Sequence, residues 1–178
     1  TQPDVKALAN GVCNLEAHLN AIAHYGVPCV IAINHFASDS EEEIAFLRNW
    51  CEGKGYDVCF LDGFLKGGEG SIELAKAVQK VLLEKPSNYR PLYDLSLPVK
   101  EKIHTIATKV YGAKGVNYTP KAEEQIRYYE KLGFSDAYIC MAKTPQSLTD
   151  NPLVLGAPKD FEITVREINL SAGANFLV

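Results

Sequence analysis

The feature that most constrains this chain is the apolar run VPCVIAI at residues 27–33, which opens directly onto Asn34, His35 and Phe36. A short, unbroken, β-branched-rich run of this kind fits a strand buried on both faces, as in a parallel sheet. A helix over residues 14–24 precedes it, with Leu15, Leu19 and Ile22 on one face, and Gly26 ends it. After the run, Ser38 or Ser40 caps a second helix, and Glu41, Glu42 and Glu43 suit its positive N-terminus. Ile44, Leu47 and Cys51 form the inner face of that helix, and Gly53 and Gly55 stop it. Residues 56–61 read as a second strand. Beyond a glycine loop, Ser71 caps a third helix that buries Leu74, Val78 and Val81. This alternation of helix and strand is the α/β layered pattern of a mostly parallel sheet with flanking helices.

Residues 84–98 break the pattern with Pro86, Pro91 and Pro98. The break divides an α/β region at 1–85 from a smaller α+β subdomain at 86–178. The second part opens with two amphipathic helices. One carries Ile103, Ile106, Ala107 and Val110; the other starts at Thr119 and Pro120 and carries Ala122, Ile126 and Tyr129. A loop over 112–117 joins them. Residues 136–142 read as a further buried strand and 143–160 as a long loop. Residues 161–166 alternate strictly, which predicts a strand with one wet face.

Composition excludes several classes of function. The net charge of −4 over 178 residues disfavours a nucleic-acid surface. No apolar run approaches the ~20 residues of a membrane span, and no signal peptide is visible. Cys13, Cys29, Cys51, Cys59 and Cys140 show no C-x-x-C spacing and read as reduced core thiols of a cytoplasmic protein. His18, His24, His35 and His104 have no metal-ligand spacing, so no metal site is expected. The start at TQPD without Met and the apolar ending SAGANFLV suggest a fragment of a longer chain.

In open α/β sheets ligands lie beyond the carboxyl ends of the strands. Two such ends each carry an aromatic ring, Phe36 and Phe64. Adjacent strands are ~4.8 Å apart, and a flat ring held between two others needs roughly 7 Å, twice a ~3.5 Å contact. Loops can splay by that much, so Phe36 and Phe64 form a slot for a planar heterocycle, with Phe60 as its floor. The alternative is that both rings fold back as lids over the core. The stretch from Lys66 to Ser71, with Gly67 and Gly68, resembles an anion cradle or a tight turn before a helix. It is no Walker A loop, since G-x-x-x-x-G-K-[ST] does not occur in the sequence. Lys143, Thr144 and Asp150 follow a strand and could face a ligand, or form a solvated loop. Arg166 and Glu167 read as a wet face or an ion pair. His35 shows no acid partner nearby in sequence, and no catalytic constellation emerges.

Taken in order, VPCVIAINHF, KGGEG, YGA at 111–113, ICMAKT at 139–144, LGAP at 155–158, and TVRE with SAGA near the end closely resemble formate–tetrahydrofolate ligases. The resemblance spans nearly the whole chain. It implies a part of a P-loop NTPase-like scaffold, and an enzyme that uses ATP, with Mg, to join formate to tetrahydrofolate at N10 through formyl phosphate. It implies that the ATP-binding loop lies upstream of Thr1, in the remainder of the parent chain, so that this segment alone is inactive. It implies a cytoplasmic homo-oligomer. It also implies that Phe36 and Phe64 sandwich the folate pterin, with Ala37 and Phe60 lining the pocket. Asn34, Lys66, Gly67 and Gly68 then serve as anion or loop support. The family pattern has Pro and Trp where Ala37 and Phe64 stand, which implies weaker folate stacking. The competing reading is a non-catalytic α/β interaction module that keeps the scaffold.

Overall fold

The computed structural model describes residues 2–178, and the chain divides into two compact units, Thr1–Val12 with Gly26–Tyr89 and Cys13–Tyr25 with Arg90–Val178. The architecture is mixed α/β. Helix α1 (Val5–Ala23) contributes to both units and starts well before the position its apolar spacing indicated. The extra turns begin behind Asp4, whose carboxylate accepts the Ala7 N–H at 2.9 Å.

The first unit holds β1 (Val30–Asn34), α2 (Glu41–Gly53), β2 (Asp57–Leu61), the short α3 (Gly63–Lys66), a 3-10 turn at Glu69–Ser71, and α4 (Ile72–Glu84). β1 and β2 pair in parallel, with Ile33 opposite Phe60 and Asn34 opposite Leu61. α2 and α4 pack on β2, and α4 also reaches β1. Ser40 caps α2 through a complete capping box: its Oγ accepts the Glu43 N–H, and the Glu43 carboxylate returns to the Ser40 N–H. The expected burial of β1 on both faces is not found. Val27, Pro28 and Cys29 lie outside the strand, and Ala32 and Asn34 are exposed while Ile33 is buried. Along Ala32, Ile33 and Asn34 burial alternates with the two-residue period of a strand. Ser71 stands at the N-terminus of α4 without capping it; its hydroxyl donates back to the Gly67 carbonyl instead. Of the three residues expected on the inner face of α4, Val81 is buried, Leu74 half-buried and Val78 exposed.

The second unit contains α5 (Val99–Lys109), β3 (Gly115–Tyr118), α6 (Pro120–Lys131), β4 (Tyr138–Ile139), β5 (Glu162–Val165), β6 (Leu170–Ser171) and β7 (Phe176–Leu177). β3 and β5 pair in parallel; β7 lies between β4, parallel, and β6, antiparallel. β3 falls inside the segment expected to be a loop. The 136–142 strand shrinks to two residues, with Tyr138 and Cys140 exposed. β5 has the wet face its alternation predicted: Ile163 is buried between exposed Glu162 and Thr164. The core joins Val99, Ile103, Ile126, Ala137, Ile139, Ile168 and Leu177, each large member contributing roughly 1.5–3 kcal/mol by leaving water.

Lys102 is the unexpected member of this interior. It is fully buried, and its ammonium donates to the carbonyls of Leu95, Ser135 and Ala137 at 3.2, 2.6 and 2.9 Å. Three donors meet three acceptors, which is how a buried charge is tolerated. Burial still pulls its pKa down from the ordinary lysine value.

Candidate functional site

The parallel register of the first unit sets the site. Because Asn34 faces Leu61, the next residue on each strand, His35 and Asp62, falls side by side. The His35 N–H extends the ladder by one bond to the Leu61 carbonyl, 2.9 Å away. The His35 Nδ1 then lies 3.1 Å from Asp62 Oδ1, and Lys66 Nζ lies 2.8 Å from Asp62 Oδ2. Asp62 is buried, at 4% exposure. The Lys66 ammonium, followed by the His35 hydrogen bond, holds its carboxyl below the usual carboxylate range. An ionised carboxylate only accepts, so His35 donates to it from Nδ1. The expectation that His35 lacks an acid partner is thus corrected. Asp62 is remote in sequence, and only the strand register brings it close. The signal was available in the equal offset of both residues past their strand ends.

The aromatic rings follow immediately. Phe36 is held by a turn in which its N–H donates to Asp39 Oδ2 at 2.8 Å and its carbonyl accepts the Asp39 N–H at 2.9 Å. Phe64 sits on α3. The two ring centroids are 6.4 Å apart and the planes are inclined by 44°. Phe36 is 50% exposed and Phe64 80%, so neither ring folds into the apolar interior. Phe60 is half-buried and its ring lies on His35, with centroids 4.7 Å apart. Ala37 and Asn34 are exposed beside the rings.

The glycine stretch is a connector between α3 and the 3-10 turn. Gly67 has φ 58° and ψ −135°, a combination reached without strain only by glycine. Gly70 packs so closely that a Cβ there would lie 2.2 Å from the Asp62 carbonyl oxygen. Lys66, expected as anion or loop support, is engaged with Asp62.

A concavity of about 570 Å³ lies within the other unit and is lined by Lys143, Thr144, Asp150, Arg166 and Glu167, among others. Most of its charges are already satisfied. Lys143 donates to the carbonyls of Thr144 and Ser147 and lies 4.6 Å from the centre of the Tyr111 ring. Asp150 accepts the Thr164 N–H, and Glu167 pairs with Lys121.

Fold and site together describe a mixed α/β protein with two exposed aromatic rings beside each other past adjacent strand ends. The family model of formate–tetrahydrofolate ligase matches residues 1–178, and the chain belongs to that family. The family is one of ATP-dependent ligases of one-carbon metabolism, with tetrahydrofolate, formate and ATP as substrates. Among the described residues, no helix is long and apolar enough to cross a membrane.

Proposed function

We propose that this chain supplies the folate-binding part of a formate–tetrahydrofolate ligase, with the pterin stacked between Phe36 and Phe64. The observation that carries the reading is the pair of neighbouring, water-exposed rings, 6.4 Å apart and inclined by 44°, on consecutive β-to-α connections. A flat ring between them needs roughly 7 Å, so seating it asks for a widening of a few tenths of an ångström and a rotation of the planes toward parallel. Phe60 lies beneath on His35, and Ala37 lines the rim. Asn34, Lys66, Gly67 and Gly68 support the two loops. The activation of formate by ATP and Mg, through formyl phosphate, is assigned to residues outside this chain. The missing G-x-x-x-x-G-K-[ST] pattern supports that division. The scaffold is then a part of a P-loop NTPase-like domain, and the complete enzyme a cytoplasmic homo-oligomer.

In this reading the chain's residues bind and orient. They hold the pterin flat so that the N10 amine reaches the activated formyl group in the right direction, a contribution of position rather than of acid–base chemistry. Isothermal titration of the chain with tetrahydrofolate tests it. Phe36→Ala should weaken binding by about twofold to twelvefold, from the loss of about 0.5–1.5 kcal/mol of stacking. In the complete enzyme the same change should raise the folate KM and leave the ATP KM in place. Binding that Phe36→Ala does not alter rejects the pocket. Absence of any heat with the unaltered chain favours a non-catalytic interaction module.

A further inference from the structure

Nothing in the core fixes Phe36 and Phe64. Phe64 is four-fifths exposed and Phe36 half exposed, so packing cannot dictate where their rings face. Their orientation is inherited from the two connections that carry them, and those connections meet at one buried side chain. Asp62 Oδ1 takes the Nδ1–H of His35, the residue immediately before Phe36. Asp62 Oδ2 takes the ammonium of Lys66, two residues after Phe64. The Asp62 backbone is itself anchored at both ends. Its N–H donates to the Gly70 carbonyl at 2.9 Å, and its carbonyl accepts the Lys66 N–H at 3.0 Å. The absence of a side chain at Gly70 lets that strand of backbone close onto Asp62.

We infer that Asp62 is the positioning residue of the aromatic slot: through His35 and Lys66 it clasps the two ring-bearing connections so that the Phe36 and Phe64 rings stay beside each other, 6.4 Å apart, near the separation a flat ring needs. The inference rests on the folate-pocket reading for its ligand, though not for its geometry. Charge-assisted bonds suit this task, because they are shorter and more directional than neutral ones. Asp62 touches no ligand in this scheme. It acts through its two partners, and its removal lets the loops separate without emptying the core.

The experiment follows the ring-to-ring contact first and binding second. In the full chain, nuclear Overhauser effects between the Phe36 and Phe64 ring protons should be present, and Asp62→Asn should abolish them. Lys66→Met, which keeps the carboxylate and removes one arm, should weaken them, and guards against an Asp62 variant that does not fold. Asp94→Asn, which removes a carboxylate bonded to Ser96, should leave them intact. Titration with tetrahydrofolate should then show about tenfold weaker binding for Asp62→Asn and a smaller loss for Lys66→Met. Ring contacts that persist in Asp62→Asn overturn the clasp, whatever happens to affinity. Contacts that depend on Asp62 in a chain that binds no tetrahydrofolate leave the clasp standing and remove the folate reading instead.

Discussion

A single lysine shows how a polar atom can belong to a core. Lys102 is fully buried on α5, between Val99 and Ile103 in the sequence, and its ammonium donates to three backbone carbonyls. Lys102→Met fills a similar volume and leaves those oxygens unpaired. We expect it to lower unfolding free energy by about 2–4 kcal/mol, read by urea denaturation. An unchanged midpoint would show that water replaces the ammonium without cost. Neither Lys102 nor Asp62 was legible from sequence. The spacing of Ile103, Ile106 and Ala107 marks an apolar face, but a lysine one position away reads as solvated until the carbonyls it meets are placed by remote segments. Asp62 is hidden for the same reason, since its partner His35 is 27 residues away. The exposure of Phe36 and Phe64 was legible because their anomaly is local: large rings stand just past apolar runs, Phe36 in a turn and Phe64 at the start of the short α3.

At the scale of elements, the helices were easier to read than the strands. Periodicity and caps are local, and α2 begins where its serine and three glutamates indicated. The strands were misjudged where pairing decides their extent. β3 hid in a short connector, β4 shrank to two residues, and β1 proved open on one face. Each depends on a partner far along the chain, and propensity carries no record of that. The capping box of α2 offers an element-level test. Ser40→Ala removes the acceptor for the Glu43 N–H and the hydroxyl that donates to the Glu43 carboxylate. It should cost about 1 kcal/mol of stability, visible as a lower melting temperature. The carboxyl of Glu43, held down chiefly by the Asp4 N–H and then by the Ser40 hydroxyl, should titrate closer to its usual range in that variant. A melting temperature equal to the parent's would deny the box an energetic role.

For the molecule as a whole, the second unit carries a built-in limit at alkaline pH. Burial raises the phenols of Tyr93, Tyr111 and Tyr118, the last to about 12. A phenol raised on folding keeps its proton longer in the folded chain than in the unfolded one. Stability is therefore intact below the unfolded value near ~10 and is lost as pH climbs through the folded value. Tyr118 alone should account for a decline on the order of 2 kcal/mol between those limits. Tyr118→Phe should flatten that part of the stability–pH curve, and an identical slope in the two proteins would refute the assignment. The sulfurs lead to a different consequence. Among the described residues Cys51 and Cys59 are buried, Cys13 and Cys29 half-buried, and Cys140 exposed, contrary to its expected place in the interior. Cys140 is therefore the most accessible of the described cysteines. Kept in air without a reductant, two copies can couple through it, and a non-reducing gel should then show a band at twice the mass and no ladder above it.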